Sequence, residues 1–284
     1  MYRLNMLFSL VVVVVVGVLQ LAVVSDAFVP STSIKRTALG GGTSVTGSTS
    51  DTCLHMAAKY KKVFVAGGSK GVGRLIIDKL LAEEGTEVVA MVRSEESLNE
   101  LNAIDGVTAI QGDAFEQKVV ENCMDGCDAA ITTLGGTTDD RRVDYVGNNN
   151  VIESAGILGI TRVILVTSIG CGSSKEAAPP SVFEVLKDTL AEKTKAENIL
   201  IKFYTNVNWT IIRPGGLKSE PMTGQAILTE DHTSIGSIHR EDVADLVVKA
   251  LSSPNTEKKV LSAIDPSITS AVAVDGKVIP AFAL

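Results

Sequence analysis

The chain has 284 residues, of which 45% are hydrophobic and 21% are charged, and its net charge is −7 at pH 7. An acidic chain without a long basic cluster lacks the electrostatic footprint of a protein that binds nucleic acid. The length accommodates one large α/β domain or two small ones.

The first 27 residues have the features of a signal peptide. They combine a basic residue, Arg3, with an apolar run from Leu7 to Val24, and they end at Ala27, a small residue suited to cleavage. The apolar run is nearly long enough to span a bilayer, so an uncleaved anchor in the endomembrane system is the alternative. After cleavage we expect no stable membrane span.

Residues 28–57 have the composition of a transit peptide, because Ser, Thr and Gly dominate and Asp51 is the only acidic residue. A signal peptide followed by such a segment resembles the two-part presequences of algae with multi-membrane plastids, in which an aromatic residue, here Phe28, follows the cleavage point. We therefore predict import into the plastid (chloroplast) stroma, with secretion as the alternative. Residues 1–57 carry three basic and two acidic side chains, so the remaining chain has a net charge of −8.

Residues 58–265 alternate apolar strands with amphipathic helices. Strands separated by helices and apolar along their whole length imply a parallel sheet buried on both faces. We predict a single α/β domain with a doubly wound parallel sheet, a ligand site at the carboxyl ends of the strands, and a C-terminal tail at 266–284. The predicted strands are Val63–Ala66, Glu87–Val92, Val107–Gln111, Ala129–Leu134, Arg162–Thr167, Trp209–Ile212, Ala226–Thr229 and Lys259–Ile264. The predicted helices are Leu75–Ala82, Glu95–Ala103, Glu116–Cys123, Arg142–Leu158, Val182–Phe203 and Arg240–Leu251.

A glycine-rich turn joins the first predicted strand to the first helix, and Gly67, Gly71 and Gly73 give it the spacing G-x3-G-x-G. Glycine lets the backbone turn tightly and approach a ligand, while the free N–H groups and the positive dipole end of the helix attract an anion. We interpret the turn as a pyrophosphate cradle for a dinucleotide; an ordinary strand-to-helix turn is the alternative. The predicted cradle comprises Gly67, Gly68, Ser69, Lys70, Gly71, Val72, Gly73 and Arg74.

The end of the second strand carries Arg93 and Ser94, where an NAD enzyme usually has an acidic residue that accepts from the ribose 2′-hydroxyl. A planar cation suits a 2′-phosphate, and the hydroxyl of Ser94 adds a donor. Lys70 and Arg74 could add further positive charge. The sequence therefore favours NADP(H) over NAD(H), with a solvated charge at the strand end as the alternative reading of Arg93.

Further ligand contacts are predicted at the ends of the third and fourth strands. Asp113 is placed to accept from the adenine amino group, and Thr133, Leu134 and Gly135 lie where a loop would pass the adenosine. The alternative role for Asp113 is the N-cap of the helix behind it.

Six motifs in order resemble the atypical short-chain dehydrogenase/reductases with an NAD(P)H-binding domain. That group includes NmrA-like proteins, TIC 62-type proteins of the plastid translocon and the biliverdin/flavin reductases, and the resemblance implies a Rossmann fold. One departure is Lys70, because the glycine pattern of the atypical subgroup would place glycine there. The motifs are Val65–Arg74, Gly112–Asp113, Leu165–Gly170, Lys193–Glu197, Trp209–Gly216 and Arg240–Ala244.

The resemblance implies a catalytic Ser, Tyr and Lys, of which this chain matches Ser168 and Lys193. The tyrosine position holds Thr189, whose hydroxyl is a far weaker acid than a phenol with a pKa of about 10. Because general acid catalysis typically contributes ~10²–10⁴-fold, standard carbonyl reduction would be impaired. His232 is a candidate for the missing acid, with a surface role as the alternative. The family also places the turn at Pro214 and Gly215 beside the nicotinamide.

Two functions fit these observations. The first is an NADPH-dependent oxidoreductase that transfers hydride to a flavin, a quinone or a similar small-molecule acceptor, for which solvent can complete the protonation. The second is a non-catalytic NADP(H)-binding redox sensor, regulator or scaffold for a protein partner. Cys123, Cys127 and Cys171 lack the paired spacing of a zinc site, so we expect no metal and interpret them as free thiols, with a redox pair as the alternative.

Overall fold

The computed structural model describes residues 59–136, 140–268 and 278–284. The predicted signal peptide and transit segment lie outside these residues, as do residues 269–277 of the predicted tail. The strands are β1 (Lys62–Ala66), β2 (Glu87–Val92), β3 (Val107–Gln111), β4 (Ala129–Thr132), β5 (Arg162–Val166), β6 (Asn208–Pro214), β7 (Gly216–Lys218), β8 (Ile227–Thr229), β9 (Ser237–His239) and β10 (Lys259–Ile264). The α-helices are α1 (Gly71–Leu81), α2 (Glu95–Asn102), α3 (Gln117–Met124), α4 (Asn148–Ile157), α5 (Pro180–Phe203) and α6 (Arg240–Ser252).

Eight of these strands form one sheet in the order β3-β2-β1-β4-β5-β6-β10-β8. Every pairing is parallel except that of β8, which runs antiparallel to β10 at the edge. The chain order reverses between β1 and β4, and this reversal opens a crevice at the carboxyl ends of the strands. The predicted doubly wound α/β fold is confirmed.

The sheet is buried on both faces because successive side chains of a strand point to opposite sides. Along β1, Val63 and Val65 belong to a cluster that packs against α1, α2 and α6, while Phe64 and Ala66 belong to a second cluster under α3, α4 and α5. Burial of each large apolar side chain contributes roughly 1.5–3 kcal/mol, so these two layers hold the strand ends in a fixed arrangement.

The structure differs from the predicted elements at several loops and ends. The helix predicted from Arg142 begins instead with a π-helical turn, Val143–Gly147, which continues into α4. A small parallel pair, β7 and β9, was not predicted. Helix α5 begins at Pro180 because the fixed φ of proline suits the first helical position. Short 3₁₀ turns occur at Gly172–Ala177 and Pro254–Thr256.

The described part of the C-terminal tail packs on the domain. The backbone N–H of Phe282 donates to the carbonyl of Leu228 on β8 at 2.7 Å, and Ile279 is buried against Ile264. Across the described ranges, no helix has both the length and the apolarity that a membrane crossing requires.

Candidate functional site

A cleft of about 560 Å³ lies at the carboxyl ends of strands β1 to β6. It brings together most residues that the sequence singled out, from five of the six motifs and from the ends of the second and fourth predicted strands. Those that line it are Gly67, Ser69, Lys70, Gly71, Val72, Gly73, Arg93, Asp113, Thr133, Leu134, Gly135, Ser168, Lys193 and Pro214.

The glycine turn brings helix α1 very close to the sheet. A Cβ atom on Gly73 would lie 2.6 Å from Oγ1 of Thr133, so only glycine fits there. Gly67 and Gly71 have φ angles of +86° and +61°, which favour glycine. Oγ1 of Thr133 donates to the carbonyls of Ala66 and Gly67, which ties the turn to β4.

The start of α1 has no side-chain cap. Lys70 occupies the N-cap position with an extended backbone, and its side chain makes no capping hydrogen bond. The first amide groups of the helix therefore face the cleft without a side-chain acceptor. This arrangement fits a phosphate group, since helix N-termini bind anions through these amides and the helix dipole.

The other end of the cleft is formed by the ends of β2 and β3. Arg93 is exposed, and within the described ranges its guanidinium takes part in no ion pair. Its backbone carbonyl accepts from Nε2 of Gln111 at 3.0 Å. Oδ1 of Asp113 accepts from the backbone N–H of Phe115 at 3.0 Å, and the N-cap of α3 is Glu116. The alternative N-cap role for Asp113 is therefore wrong.

Four predicted ligand residues lie outside the lining, and the structure gives each another contact. Ser94 is the N-cap of α2 and accepts from the backbone N–H of Ser97 at 3.2 Å. Arg74 forms an ion pair with Asp78 and lines a second, smaller cleft. Gly68 and Gly215 are positions of close packing, because a Cβ on Gly68 would lie 2.7 Å from Cδ1 of Ile77 and one on Gly215 would collide with the backbone of Gly236.

The two predicted catalytic residues lie together at the end of the cleft opposite Arg93. Nζ of Lys193 is 2.8 Å from Oδ1 of Asp144 and donates to the carbonyl of Leu134 at 3.2 Å. Oγ of Ser168 donates to the carbonyl of Ile169 at 3.0 Å. Thr189, at the position of the missing tyrosine, does not line the cleft.

A buried ion pair supports the floor beneath this end. The guanidinium of Arg213 donates to both carboxylate oxygens of Glu197, at 3.0 and 2.7 Å, and the two side chains are 3% and 2% exposed. Glu197 also accepts from the hydroxyl of Thr167, which lines the cleft, and Arg213 donates to Ser173. The pair therefore fixes β5 and β6 to helix α5, and Glu197 of the Lys-x3-Glu motif is a structural residue.

His232 does not belong to the lining of the cleft. Burial and then the nearby charge of Arg213 lower the pKa of His232 below its usual value. A lowered pKa keeps the imidazole neutral at pH 7 and above. A neutral imidazole outside the lining is poorly placed to supply the missing proton.

Two functional candidates escaped the sequence interpretation. Asp144 lies within a predicted helix, and no sequence pattern indicates that its side chain is buried. Arg240 was interpreted only as the start of a structural helix, yet it lines the cleft near Gly71. It reaches that position because α6 packs beside α1, and Nη1 of Arg240 donates to Oγ of Ser219 at 2.6 Å.

A buried group of His239, Asp242 and Asp265 offers ligand atoms within 4.8 Å of one another. Both carboxylates already accept hydrogen bonds. Asp242 accepts from the amides of Thr223 and Gly224 at 3.0 and 2.9 Å, and Asp265 accepts from Ser267 and Thr223. The group therefore anchors the loop between β7 and β8.

Comparison with known proteins identifies the family of this chain. The model of the NAD(P)H-binding family matches residues 67–254. An uncharacterised chloroplastic protein of Arabidopsis thaliana is 32% identical over 221 residues, which cover 73% of this chain and 78% of the relative. Sanguinarine reductase of Eschscholzia californica is 28% identical over 253 residues, which cover 72% of this chain and 89% of the relative.

The fold of this chain is also similar to that of a solved structure. The anaerobillin reductase ChuY of Escherichia coli O157:H7 is 31% identical and superposes with a TM-score of 0.67, over 73% of this chain and 98% of its own. The family match spans the glycine turn, the ends of strands β2 to β6 and the whole of helix α6. The chain therefore belongs to the NAD(P)H-binding family, among the atypical short-chain dehydrogenase/reductases.

Proposed function

We propose that the protein is an NADPH-dependent oxidoreductase that transfers hydride to a planar acceptor such as a flavin or a quinone. The observation that carries this proposal is the single cleft in which the glycine turn lies between Arg93 at one end and Ser168 and Lys193 at the other. A dinucleotide has its phosphates in the middle and a nucleoside at each end, so this order of groups matches it. When bound, NADPH supplies the hydride.

The preference for NADP(H) rests on the charges at the adenosine end. Arg93 and Lys70 line the cleft, and both are exposed. Arg93 directly follows β2, so a 2′-phosphate would meet a cation at the position where an NAD enzyme usually has a carboxylate. A charge-assisted contact to phosphate is roughly twice as strong as a neutral hydrogen bond.

The choice of acceptor rests on the missing acid. Ser168 can orient an acceptor oxygen and Lys193 can donate to one, but the threonine at position 189 cannot release a proton at neutral pH. A flavin or a quinone can take its proton from solvent, whereas a simple ketone depends more on a positioned acid. Two relatives bear reductase names, sanguinarine reductase and anaerobillin reductase, and these names support a reductase with an extended substrate.

The direct test is turnover by the purified protein. NADPH oxidation is followed at saturating NADPH with FMN, a soluble quinone and a panel of aldehydes and ketones. We expect oxidation with the flavin or the quinone and little with the simple carbonyls. Turnover of carbonyls at rates equal to those of the planar acceptors would contradict the assignment.

A second candidate function is an NADP(H)-binding sensor, regulator or scaffold. The observation that favours it is Thr189, because replacement of the phenol removes the acid that standard carbonyl reduction in the family uses. Calorimetry separates the two candidates. Tight NADPH binding without turnover of any acceptor would leave only the second.

We also propose that the protein works in the plastid stroma. The composition of residues 1–57 supports this location, and the relative from Arabidopsis thaliana is named chloroplastic. Fusion of residues 1–57 to a fluorescent reporter tests the address in an alga with a complex plastid. Accumulation of the reporter in the medium would show secretion instead.

A further inference from the structure

Asp144 is a fully buried acid that forms an ion pair with Lys193. Its side chain is 0% exposed, and within the described residues neither carboxylate oxygen accepts a hydrogen bond from an amide or a hydroxyl. The ammonium group of Lys193, 2.8 Å from Oδ1, is its ion-pair partner. Since an isolated buried charge is strongly unfavourable, this carboxylate depends on Lys193 for its stability as an anion.

The backbone around Asp144 has a special conformation that is held by hydrogen bonds. Asp144 lies in the π-helical turn Val143–Gly147, and such turns are rare and occur frequently at functional sites. Nδ2 of Asn148 donates to the carbonyls of Val143, Asp144 and Leu134 at 3.3, 3.0 and 3.3 Å. Its Oδ1 accepts from Thr132 at 2.6 Å, so the turn is fixed to the end of β4.

Lys193 connects this buried acid to the cleft. An ammonium group has three N–H donors, and two of them are directed to Asp144 and to the carbonyl of Leu134. The side chain is 12% exposed and lines the cleft, which leaves one donor for a ligand. Because the carboxylate lies directly behind it, the ammonium group presents a hydrogen-bond donor with little net charge.

This balance of charge matters at the nicotinamide end of the cleft. With the phosphates at the glycine turn and the adenosine at Arg93, the nicotinamide must extend toward Lys193. The nicotinamide ring is a cation when oxidised and neutral when reduced. A lysine without a counter-charge would repel the oxidised ring but not the reduced ring.

We propose that Asp144 is a positioning residue that orients Lys193 and neutralises its charge, so that the cleft binds the oxidised and the reduced dinucleotide with similar affinity. The proposal rests on the proposed NADP(H) site and adds a role that no sequence motif indicates. According to the proposal, this buried carboxylate sets the ratio of the dissociation constants of NADP⁺ and NADPH.

The test measures both dissociation constants by calorimetry for the full protein and for variants that fold. In Asp144→Asn the ammonium group keeps its place but loses its counter-charge, so NADP⁺ should weaken relative to NADPH by about tenfold. In the double variant Asp144→Asn with Lys193→Met, both charges are gone, and the ratio should return to within about twofold of the wild type. A purely structural role of Asp144 predicts no such return.

Lys187→Met is the matched control, because this lysine is exposed on the same helix and pairs with Glu184. It should leave the ratio unchanged. An unchanged ratio in Asp144→Asn, or a double variant that keeps the shifted ratio, overturns the proposal. If Asp144→Asn does not fold, Asp144→Ala takes its place: it also leaves Lys193 without its counter-charge, so the same tenfold change of the ratio is expected, and an unchanged ratio overturns the proposal. A wild-type protein that binds neither nucleotide would instead refute the proposed function.

Discussion

Arg93 and Lys193, two cations that line the cleft, differ in their contacts. Arg93 is exposed at the end of β2, whereas the ammonium group of Lys193 is balanced by Asp144. A cation that forms no ion pair within the described ranges keeps its hydrogen-bond donors for an anionic ligand. If the proposed function holds, the end of the cleft at Arg93 selects the dinucleotide by charge, and the end at Lys193 selects by hydrogen bonding.

Arg93→Ala tests the selection by charge. Loss of a hydrogen-bonded charge contact is worth about 1.5–3 kcal/mol, so the dissociation constant of NADPH should rise roughly 10- to 100-fold. NADH lacks the 2′-phosphate and should weaken by less than about threefold. Calorimetry with both nucleotides measures the difference. Arg74→Ala is the control, since Arg74 is paired with Asp78 outside the cleft; equal weakening of NADPH and NADH by Arg93→Ala would contradict the NADP assignment.

The thiols of the domain have a predictable reactivity. Burial raises the pKa of Cys127 to about 11 and that of Cys171 to about 12. Because the thiolate is the reactive form, only about one Cys127 thiol in a thousand is reactive at pH 8. Iodoacetamide should label both residues slowly in the folded protein, about tenfold faster per unit of rising pH, and rapidly in urea. Mass spectrometry of the labelled peptides measures this, and fast native labelling would revive the redox-pair interpretation.

Residue types with a strong local requirement could be predicted from the sequence. Gly67 and Gly73 were identified because a turn and a close helix approach need glycine, and Arg93 because it replaces the expected acid. Asp144 and Arg240 could not be identified in this way. Their roles depend on which side of a helix they occupy and on the packing of α6 beside α1, and neither is encoded in the local sequence.

The C-terminal end of helix α6 is capped by a buried cation, Arg162, which has a structural role. Arg162, the first residue of β5, is 0% exposed, and burial lowers its pKa. Its guanidinium donates to the carbonyls of Ala250 and Leu251, the last turn of α6, and to Thr210 and Thr256. The carbonyls at a helix C-terminus carry partial negative charge, so they stabilise this cation.

Arg162→Met should therefore destabilise the domain by about 2–4 kcal/mol, since several buried acceptors lose their donor. Urea unfolding of the variant and the wild type measures the change. The control is Lys249→Met on helix α6, the helix that Arg162 caps; it removes an exposed i,i+4 pair with Asp245 and should cost about 0.5 kcal/mol or less. Equal effects of the two substitutions would show that the capping contacts of Arg162 contribute little.

The accuracy of the predicted elements follows from the same physics. Strands β1, β2, β3, β5 and β10 were predicted within one or two residues, because apolar runs between polar turns are distinct. The pair β7 and β9 was missed because each strand has three residues and no alternating pattern. The π-helical turn before α4 was missed because it has the same composition as the helix that follows.

At the scale of the whole molecule, the cleft joins elements that are far apart in the sequence. Its lining extends from Gly67 to Arg240, and strands β1, β4, β5 and β6 lie side by side beneath it. A ligand that contacts all of these elements binds only the folded chain. Its binding free energy therefore adds directly to the free energy of unfolding.

This coupling makes the melting temperature a measure of nucleotide preference. At a concentration of 100 times its dissociation constant, NADPH should stabilise the fold by about 2.7 kcal/mol, which raises the Tm by roughly 5–10 °C for a domain of this size. NADH at the same concentration should raise the Tm much less, and in Arg93→Ala the two shifts should converge. Differential scanning calorimetry measures all three cases. A wild-type protein whose Tm rises equally with NADPH and NADH would show that Arg93 does not recognise the 2′-phosphate, whatever its place in the cleft.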